Sequence, residues 1–439
     1  MAGSHRSRVV GTAAARRVVV SGVGIVSAAG IGIGPTWDCL RTAPPVAAWI
    51  QGPPPTTDVG FRAYAAPEYD LAELGVRPQC LRWLEEAELR EARDLRHLVA
   101  ATALALSDAG LPSYCGDLEP GVAIVAANES PGFEELSQSL FRLGEDGLLP
   151  RDPLQRFSLL VERFFQLNTF LPPFYLSRAF GFAGPALFVN SACASGLNAI
   201  DLAAQNIRLG RSRISIAAAA DNPLSVAKFL WFRDLGLYAS DGVIRPYDAR
   251  QTGTVFGDGA AALVLEDRES ALARGAHVYA EHAGAGFAQD GWKITVPAAA
   301  KTSGETALRA ALDEADVSPS AVDLIVPHGV GTPASDRYEA RLLHRVFGGG
   351  DWPSVTVLKP WIGHSLGASA LMESALLLAA MDRGCIPPTR EPEVPFERHP
   401  LPLVTEWRAQ RIDVAVKLTC AFAGYYGATV FRRSADATA

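Results

Sequence analysis

Short β-branched runs alternate with longer segments of helical spacing along the first half of the chain. The runs have the length and flanking glycines of buried strands, and the longer segments repeat apolar residues every three or four positions. The predicted elements are a strand at 17–30, a helix at 97–110, a strand at 121–127, and a strand, a turn and a helix within 185–210. The turn of the last unit falls at Cys193. Gly110 and Gly210 end the two helices, because glycine readily adopts the left-handed conformation that closes a helix.

The second half of the chain repeats this order of elements. They are a strand at 277–286, a helix at 304–316, a strand at 321–327, a strand at 355–359 that leads to a turn at His364, and a helix that ends at Gly384. The strand at 122–125 matches the strand at 322–325 at an offset of 200 residues, whereas Cys193 matches His364 at an offset of 171. The first half therefore contains about 29 extra residues, which we place within 131–180. The pattern is typical of an internal duplication.

Alternating strands and helices predict an α/β fold in layers, with mainly parallel strands that are buried on both faces. The expected organisation is a flexible tail at 1–16, a first half at 17–270 that contains the insertion, and a second half at 271–439. The arginine-rich start could imitate an organellar transit peptide, but a strand begins directly after it, so we interpret it as a tail. Ligands bind such sheets at the carboxyl ends of the strands.

Composition excludes several classes of protein. Of the 439 residues, 49% are hydrophobic and 20% charged, which is typical of a folded globular protein. The formal net charge of −7 argues against a nucleic-acid partner. No apolar run is long enough to span a membrane, so we expect no membrane partner. The six cysteines form no CxxC pair, which indicates neither a zinc site nor a disulfide scaffold and fits a reducing, cytoplasmic location.

Cys193 is a candidate nucleophile because it lies at a predicted turn from a strand into a helix. Free main-chain N–H groups and the helix dipole favour negative charge at such a position and would stabilise its thiolate. A lone cysteine beside Ala192 and Ala194 is more typical of simple core packing. His328 and His364 follow predicted strands at comparable turns, although either one alone is more typical of a structural histidine. The convergence of all three favours a chemical role.

Four motifs occur in the order found in the β-ketoacyl synthases, the condensing enzymes of fatty-acid and polyketide assembly. SACASG, around Cys193, resembles their nucleophile motif, and PYDARQTGTVFGDGAAALVLE at 246–266 resembles their PFDxxRDGFxxGEGAxxLVLE segment. HGVGT resembles their HGTGT, and KPWIGHSLGA resembles their KSxxGHxxGA. The resemblance covers about residues 17–432. It implies a duplicated thiolase-like α/β fold with five layers, αβαβα.

This resemblance implies a catalytic triad of Cys193, His328 and His364. Cys193 would accept an acyl group from a carrier thioester and form a covalent intermediate. The two histidines would hold a malonyl-type extender and assist its decarboxylation before a Claisen condensation. Lys359 and Glu373 match the Lys and Glu that the family carries in supporting positions, although a solvated surface pair is the alternative interpretation.

The resemblance also implies a binding site and partners. Main-chain N–H groups of Cys193 and Cys420 would form an oxyanion hole. The side chains expected to lie near the substrate are those of Thr332, Val330, Phe422 and Trp231. No cofactor and no metal ion are expected, because the substrates would arrive on the phosphopantetheine of a carrier protein or on CoA. The expected partners are an acyl carrier protein and a second subunit, in a homodimer or in a heterodimer with a related synthase-like chain.

Two departures from the family pattern keep alternatives open. Val330 replaces the first threonine of HGTGT, and Cys420 stands where the family has a phenylalanine that gates the pocket. Thiolases, which share the fold, use a second cysteine in that loop for proton exchange, so Cys420 could support a non-decarboxylative condensation or widen the pocket. Transfer of the acyl group to an amine, alcohol or thiol is an alternative reaction. An inactive partner subunit is a second alternative, although such chain-length factors lack the nucleophile that Cys193 provides.

The insertion at 131–180 is unusually rich in aromatic residues. Its density of large rings suits an acyl tunnel or a seam between two subunits, and ordinary helix core is an equal alternative. These residues are Phe133, Phe141, Phe157, Phe164, Phe165, Phe170, Phe174 and Tyr175.

Overall fold

The computed structural model describes residues 16–52, 56–86, 92–118, 121–145, 152–390 and 392–434. Apart from Arg16, the predicted tail lies outside these residues. The strands are β1 (Val18–Ser27), β2 (Gly30–Ile31), β3 (Ala48–Gln51), β4 (Gly60–Ala63), β5 (Ala123–Ala127), β6 (Ala186–Val189), β7 (Ile214–Asp221), β8 (Gly259–Asp267), β9 (Ala280–Gln289), β10 (Leu324–Val326), β11 (Ser354–Val355), β12 (Cys385–Ile386), β13 (Arg408–Ala409), β14 (Val414–Cys420) and β15 (Tyr425–Arg432).

The helices occupy the segments between the strands. They are α1 (Ile33–Thr42), α2 (Pro78–Glu86), α3 (Arg93–Asp108), α4 (Phe133–Glu145), α5 (Pro153–Gln166), α6 (Leu171–Phe180), α7 (Ser195–Arg208), α8 (Val226–Asp234), α9 (Arg268–Ala273), α10 (Ser303–Glu314), α11 (Pro333–Phe347), α12 (Lys359–Ile362) and α13 (Ser369–Arg383). Short 3₁₀ turns lie at Pro319–Ala321, Leu366–Ala368 and Phe422–Gly424. Among the described residues, no helix is both long and apolar enough to cross a lipid bilayer.

The strands of the two halves follow one another in the same order within a large sheet. The order is β6-β5-β7-β8-β1 in the first half and β11-β10-β14-β15-β9 in the second. Strands β1 and β9 pair with each other and so join the two halves at the centre of the sheet. Equivalent strands occupy equivalent places, which confirms the internal duplication. The predicted boundary between residues 270 and 271 falls inside the short helix α9.

Helices α7 and α13 form the central layer of the molecule. They pack against each other and against strands of both halves, while α3 and α6 cover the outer face of the first half and α10 covers that of the second. This arrangement gives the five layers αβαβα of the thiolase-like fold. Both central helices are largely buried, and small residues let them approach closely: a Cβ on Gly196 of α7 would meet Leu371 of α13 at 2.6 Å.

The prediction of mainly parallel strands is wrong for the middle of the sheet. Strands β10, β11 and β14 pair in parallel, as do β5, β6 and β7, but the pairs nearer the centre are antiparallel. The connection between β14 and β15 is only residues 421–424, and so short a link joins antiparallel neighbours because a parallel pair needs a long crossover. The sheet is therefore mixed.

The predicted strand at 355–359 is also shorter than expected. Strand β11 ends at Val355, and Lys359 instead begins helix α12. Pro360 favours this first helical turn because its ring fixes φ near the helical value and it has no N–H to leave unpaired. His364 consequently follows a short helix rather than the end of a strand.

The insertion at 131–180 forms helices α4, α5 and α6, and many of its aromatic side chains face outward. Phe157 is 58% exposed and Phe165 is 54% exposed. The interpretation as ordinary helix core is therefore wrong for the exposed rings, which are Phe141, Phe157, Phe164, Phe165, Phe170 and Phe174. Helix α6 packs beside β6, the edge strand of the first half, whose Leu187 is also exposed.

Two glycines bring the chain before β8 against the loop that carries His364. Gly257 donates its N–H to the His364 carbonyl at 3.1 Å, and the His364 N–H returns to Val255 O at 2.8 Å. A Cβ on Gly257 would meet Ile362 O at 1.9 Å, and one on Gly363, whose φ is +76°, would meet Gly257 Cα at 2.6 Å. No side chain fits between these two segments, so the glycines fix the position of His364.

We expect Gly257→Ala to destabilise the protein by about 2 kcal/mol or more, because backbone atoms must move to admit the methyl group. Thermal unfolding measures the effect. The control is Gly34→Ala in α1, where a Cβ would meet nothing within 4 Å. Alanine is the better helix former, so this control should match the wild type or exceed it slightly. Equal unfolding temperatures for the two variants would contradict the packing argument.

Candidate active site

Cys193 lies in a tight turn between the end of β6 and the start of α7. Ala192 has a φ of 51°, a left-handed conformation that is strained for a residue with a Cβ and marks the sharpness of the turn. The Ser191 N–H donates to the Ser195 hydroxyl at 2.8 Å, which ties the turn to the first residue of α7. The turn brings the sulfur to the wall of a cavity while leaving Cys193 only 3% exposed.

His364 faces the sulfur from the other half of the chain. Its Nε2 lies 3.3 Å from Cys193 Sγ, within hydrogen-bond reach for sulfur, and its Nδ1 lies 3.1 Å from Ser369 Oγ. If Nδ1–H donates to Ser369, Nε2 is left as an acceptor for the thiol proton. Ser369 begins α13, so the same helix that packs in the central layer also orients this ring.

His328 comes two residues after β10, and its loop is held by a buried carboxylate. Glu339 accepts the N–H groups of His328 and Gly329 at 2.7 and 2.8 Å. The Nδ1 of His328 lies 3.3 Å from Lys359 Nζ. A charged ammonium can only donate, so Nδ1 accepts and the ring proton lies on Nε2. His328 therefore presents an N–H donor on its other side.

The three predicted catalytic side chains meet in one place. The sulfur of Cys193 and one ring nitrogen from each of His328 and His364 all lie within 4.8 Å of one another. The two imidazole centroids are 5.5 Å apart, and the ring planes are nearly perpendicular. All three residues are buried. The predicted convergence of these residues is confirmed.

Lys359 and Glu373 form an ion pair directly beneath His328. Lys359 Nζ lies 2.9 and 3.0 Å from the two Glu373 oxygens and donates to the His328 carbonyl at 2.7 Å. Both side chains are fully buried, so the alternative of a solvated surface pair is wrong. A buried pair of this kind is strongly destabilising to break, because the remaining charge is left uncompensated.

Sequence analysis missed a second lysine in this cluster. Lys417 Nζ lies 2.9 Å from Glu373 Oε2, and Lys417 is also fully buried. It stands in the otherwise apolar run VAVKLTC of β14. A charged residue in the middle of a fully buried strand was the signal that could have identified it, since lysine is almost never fully buried unless it is paired.

Burial and nearby cations keep both histidines neutral. Burial lowers the pKa of His328 and of His364 well below the ordinary value, and the Lys359 ammonium lowers both further. A neutral imidazole can accept the thiol proton through one nitrogen and donate a hydrogen bond through the other.

The expectation of a stabilised thiolate at Cys193 is wrong. Burial raises the pKa of the thiol well above its ordinary value, and the Glu129 carboxylate raises it further. Lys359 and a main-chain hydrogen bond from Phe422 act in the opposite direction but do not compensate. The effect of desolvation on the pKa of Cys193 is larger than the opposite effect of the α7 N-terminus, so the side chain is a thiol before it reacts.

The cavity in front of the triad contains most of the predicted substrate residues. Val330, Thr332 and Phe422 line it, together with Cys420. Trp231 does not line it, but its ring contacts that of Phe422 at 6.1 Å between centroids. The open volume is about 30 Å³, room for little more than a water molecule, so an acyl chain has to displace the surrounding side chains.

The loop after β14 supplies a main-chain donor to the sulfur. It is the N–H of Phe422, two residues beyond Cys420, that is directed at Cys193 Sγ. The oxyanion role of the Cys420 N–H stays a prediction. The Cys420 thiol lies 3.8 Å from Glu339 Oε1, and burial followed by the charge of Glu339 raises its pKa well above the ordinary value.

We expect native Cys193 to react with iodoacetamide at least tenfold more slowly at pH 8 than the same cysteine in the unfolded chain, because only the thiolate reacts. The native rate should still rise above pH 9, where an unfolded thiol of pKa about 8.5 approaches its plateau. Peptide mapping after timed alkylation measures both rates, with the denatured chain as the control. A native rate that levels off below pH 8 would instead indicate a thiolate paired with an imidazolium.

Comparisons with known proteins agree with this geometry. The model of the β-ketoacyl synthase N-terminal domain matches residues 15–271, and that of the C-terminal domain matches residues 279–393. A protein described as granaticin polyketide β-ketoacyl synthase 1, from Streptomyces violaceoruber, is 32% identical over 96% of this chain and 99% of its own length. Nodulation protein E of Rhizobium leguminosarum is 31% identical over 86% of this chain and 90% of its own length.

Solved structures give the same result. The ishigamide ketosynthase/chain length factor superimposes with a TM-score of 0.82 at 26% identity, covering 96% of this chain and 100% of that one. A β-ketoacyl synthase from Burkholderia phymatum superimposes with a TM-score of 0.78 at 26% identity, covering 95% and 100%. Both family models and the full-length relatives lead to one conclusion: the chain belongs to the β-ketoacyl synthase family of condensing enzymes.

Proposed function

We propose that this chain joins an acyl group on Cys193 to a malonyl-type extender by decarboxylative Claisen condensation, in polyketide or fatty-acid assembly. The extender would be carried on the phosphopantetheine of an acyl carrier protein. The observation that carries the proposal is the meeting of Cys193, His328 and His364 at one buried cavity. Relatives named as polyketide synthases, and a structural neighbour described as a ketosynthase in complex with its acyl carrier protein, support the substrate and the partner.

In the first half-reaction, His364 Nε2 accepts the proton of the Cys193 thiol, 3.3 Å away, as the sulfur attacks the acyl thioester. The carrier thiolate leaves and takes the proton back from His364. Main-chain N–H groups of the Cys193 turn and of the loop after β14 stabilise the negative oxygen of the tetrahedral intermediate. The high pKa of the resting thiol is compatible with this step, because proton transfer and attack occur together.

In the second half-reaction, the extender thioester binds with its carbonyl oxygen near both histidines. The bond to its carboxylate breaks, CO₂ leaves, and the electron pair forms an enolate. The Nε2–H of His328 is fixed as a donor by Lys359 on the other side of the ring, and it would stabilise the enolate oxygen. The enolate carbon then attacks the acyl group on Cys193, the bond between the acyl carbon and the sulfur breaks, and the departing thiolate takes a proton from solvent as the product leaves.

The remaining residues of the cavity would position the substrates. We propose that Thr332 binds the pantetheine arm or the extender carboxylate, and that Val330 and Phe422 contact the acyl group. Trp231 would act indirectly, since its ring packs on Phe422 rather than facing the cavity. No cofactor takes part in this scheme, and CoA could replace the carrier protein as donor. A metal ion is also not required, because a cation held by the triad would occupy the nucleophilic sulfur.

We also propose a cytoplasmic location. All six cysteines are free thiols, and two of them, Cys39 and Cys385, are only half-buried. Free, accessible thiols are typical of a reducing compartment.

Acyl transfer to an amine, alcohol or thiol is the second candidate reaction. It is favoured by two residues that line the cavity. Val330 replaces the threonine of the family motif, and Cys420 replaces the phenylalanine that gates the pocket. Both reactions share the acyl-enzyme on Cys193, and only condensation releases CO₂ from a malonyl donor.

We expect Cys193→Ser to lose acyl-enzyme formation by at least about 10²-fold, because a hydroxyl is a much weaker nucleophile at this site. Intact-mass spectrometry after incubation with a panel of acyl carriers detects the adduct, and labelled malonyl carrier reports CO₂. The matched control is Cys385→Ser, which lies outside the cavity lining and should behave as the wild type. An adduct without CO₂ release would favour the acyltransferase, and no adduct from any donor would favour an inactive subunit.

Strand β6 and the insertion offer a surface for a second subunit. Among the described residues, no strand pairs with the outer side of β6, and Leu187 is 39% exposed. The outward rings of α6, which packs beside β6, extend the apolar surface, and Phe165 of α5 contacts Phe170 with 5.8 Å between ring centroids. We propose that a second chain of the same fold pairs along β6 about a two-fold axis. A homodimer is the first expectation, whereas neighbours described as ketosynthases with chain length factors favour a related subunit.

We expect Leu187→Arg to prevent this assembly, because it buries an unpaired charge at the seam. Native mass spectrometry of the 46.6 kDa chain, alone and mixed with a related subunit, measures the outcome. Leu209→Arg is the control, since Leu209 is 62% exposed at the opposite end of α7. Dimers that persist in Leu187→Arg would contradict the proposed seam.

A further inference from the structure

Lys417 is a second buried ammonium beneath the active site. Besides the bond to Glu373, its Nζ donates to three main-chain carbonyls, those of Leu418 at 2.8 Å, Pro327 at 3.1 Å and Val326 at 3.4 Å. Pro327 directly precedes His328. Lys417 therefore binds the main chain on one side of His328, while Lys359 binds the carbonyl of His328 itself at 2.7 Å.

Two ammonium groups share one carboxylate in this cluster. Lys359, Glu373 and Lys417 are all 0% exposed, so both ammonium groups are buried against Glu373. Two acidic residues of α11 also face the cluster. Glu339 accepts the N–H groups of His328 and Gly329 and a tyrosine hydroxyl, and its charge partly offsets that of the lysines; burial raises the pKa of Asp336 to about 8. The Cys420 thiol stays protonated.

The choice of lysine at this position is itself informative. The chain contains only 5 lysines against 35 arginines among its 40 basic residues, and three of those lysines, Lys228, Lys359 and Lys417, are buried. A compact ammonium fits a buried pocket of carbonyl oxygens, and unlike a guanidinium it can lose its proton when buried.

The Lys417 ammonium acts on both imidazoles. Lys417 contributes to the lowered pKa of His328 and of His364, in addition to burial and Lys359. Burial lowers the pKa of Lys417 itself to about 8, and Lys359 lowers it further while Glu373 and Glu339 oppose the shift. Lys417 therefore carries its positive charge below about pH 8 and loses it above.

We propose that Lys417 is a positioning residue for the condensation reaction, which holds the His328 segment in place through the carbonyls of Val326 and Pro327 and sets a second ammonium group beneath the two histidines. This inference rests on the proposed function of the histidines. Lys417 does not line the cavity, and it acts through the His328 segment and through the carboxylate that it shares with Lys359.

Selective ¹³C labelling of histidine and an NMR pH titration test the proposal without any substrate. In Lys417→Met the pKa of His328 and His364 should rise by about one unit or more, because a buried like charge has been removed. In Lys417→Arg the charge remains, and both values should stay as in the wild type. Lys301→Met, which removes an exposed ammonium, is the matched control and should change neither value.

Titrations that are the same in Lys417→Met and the wild type would overturn the proposal, whether or not the enzyme condenses substrates. If Lys417→Met does not fold, the wild type still decides the question. The ¹³C shifts of His328 and His364 should show a second inflection near pH 8, where the Lys417 ammonium beneath them loses its proton, and this inflection should be absent in Lys417→Arg, whose guanidinium keeps its proton. Wild-type shifts that stay flat between pH 7 and 9 would overturn the proposal as well.

Discussion

The buried ion pair between Lys359 and Glu373 is the interaction on which the active site depends. Lys359 begins α12 and Glu373 lies in α13, and the ammonium also contacts the carbonyl and the ring of His328. The Lys359 ammonium thereby joins α12, α13 and the loop after β10 in the second half of the chain. Because both side chains are fully buried, their electrostatic attraction is only weakly screened. The same burial keeps the neighbouring imidazoles uncharged.

The duplicated fold explains how the nucleophile and the two histidines meet although they are far apart in the chain. The strand–turn–helix unit that ends in α7 carries Cys193, and its counterpart ending in α13 carries His364. Since α7 and α13 pack against each other in the central layer, the turns that precede them face one another. His328 enters from β10, whose neighbour in the sheet is β14. The two halves of the duplicated fold thus contain equivalent turns, one with the nucleophile Cys193 and the other with His364.

Much of this arrangement could be predicted from the sequence. The order of elements, the repeat and the three catalytic positions follow from local hydrophobic patterns and short motifs. The direction of the central strands could not be predicted, because a buried strand has the same run of β-branched residues whether its neighbours are parallel or antiparallel. The protonation state of Cys193 could not either, since it depends on desolvation by loops distant in sequence. Lys417 was missed because a single charge within an apolar strand acquires meaning only when its partner Glu373 is seen beside it.

The position of the nucleophile next to an edge strand has a consequence for regulation. Only three residues separate the end of β6 from Cys193, and Asn190 within that link also binds the chain after β5 through a hydrogen bond to Glu129 O. A second chain that pairs along β6, as proposed above, would add main-chain hydrogen bonds to the strand that leads into this link. Dissociation of the two chains would then loosen the peptide that positions the sulfur, so dilution would lower the activity without any change in the reaction centre itself.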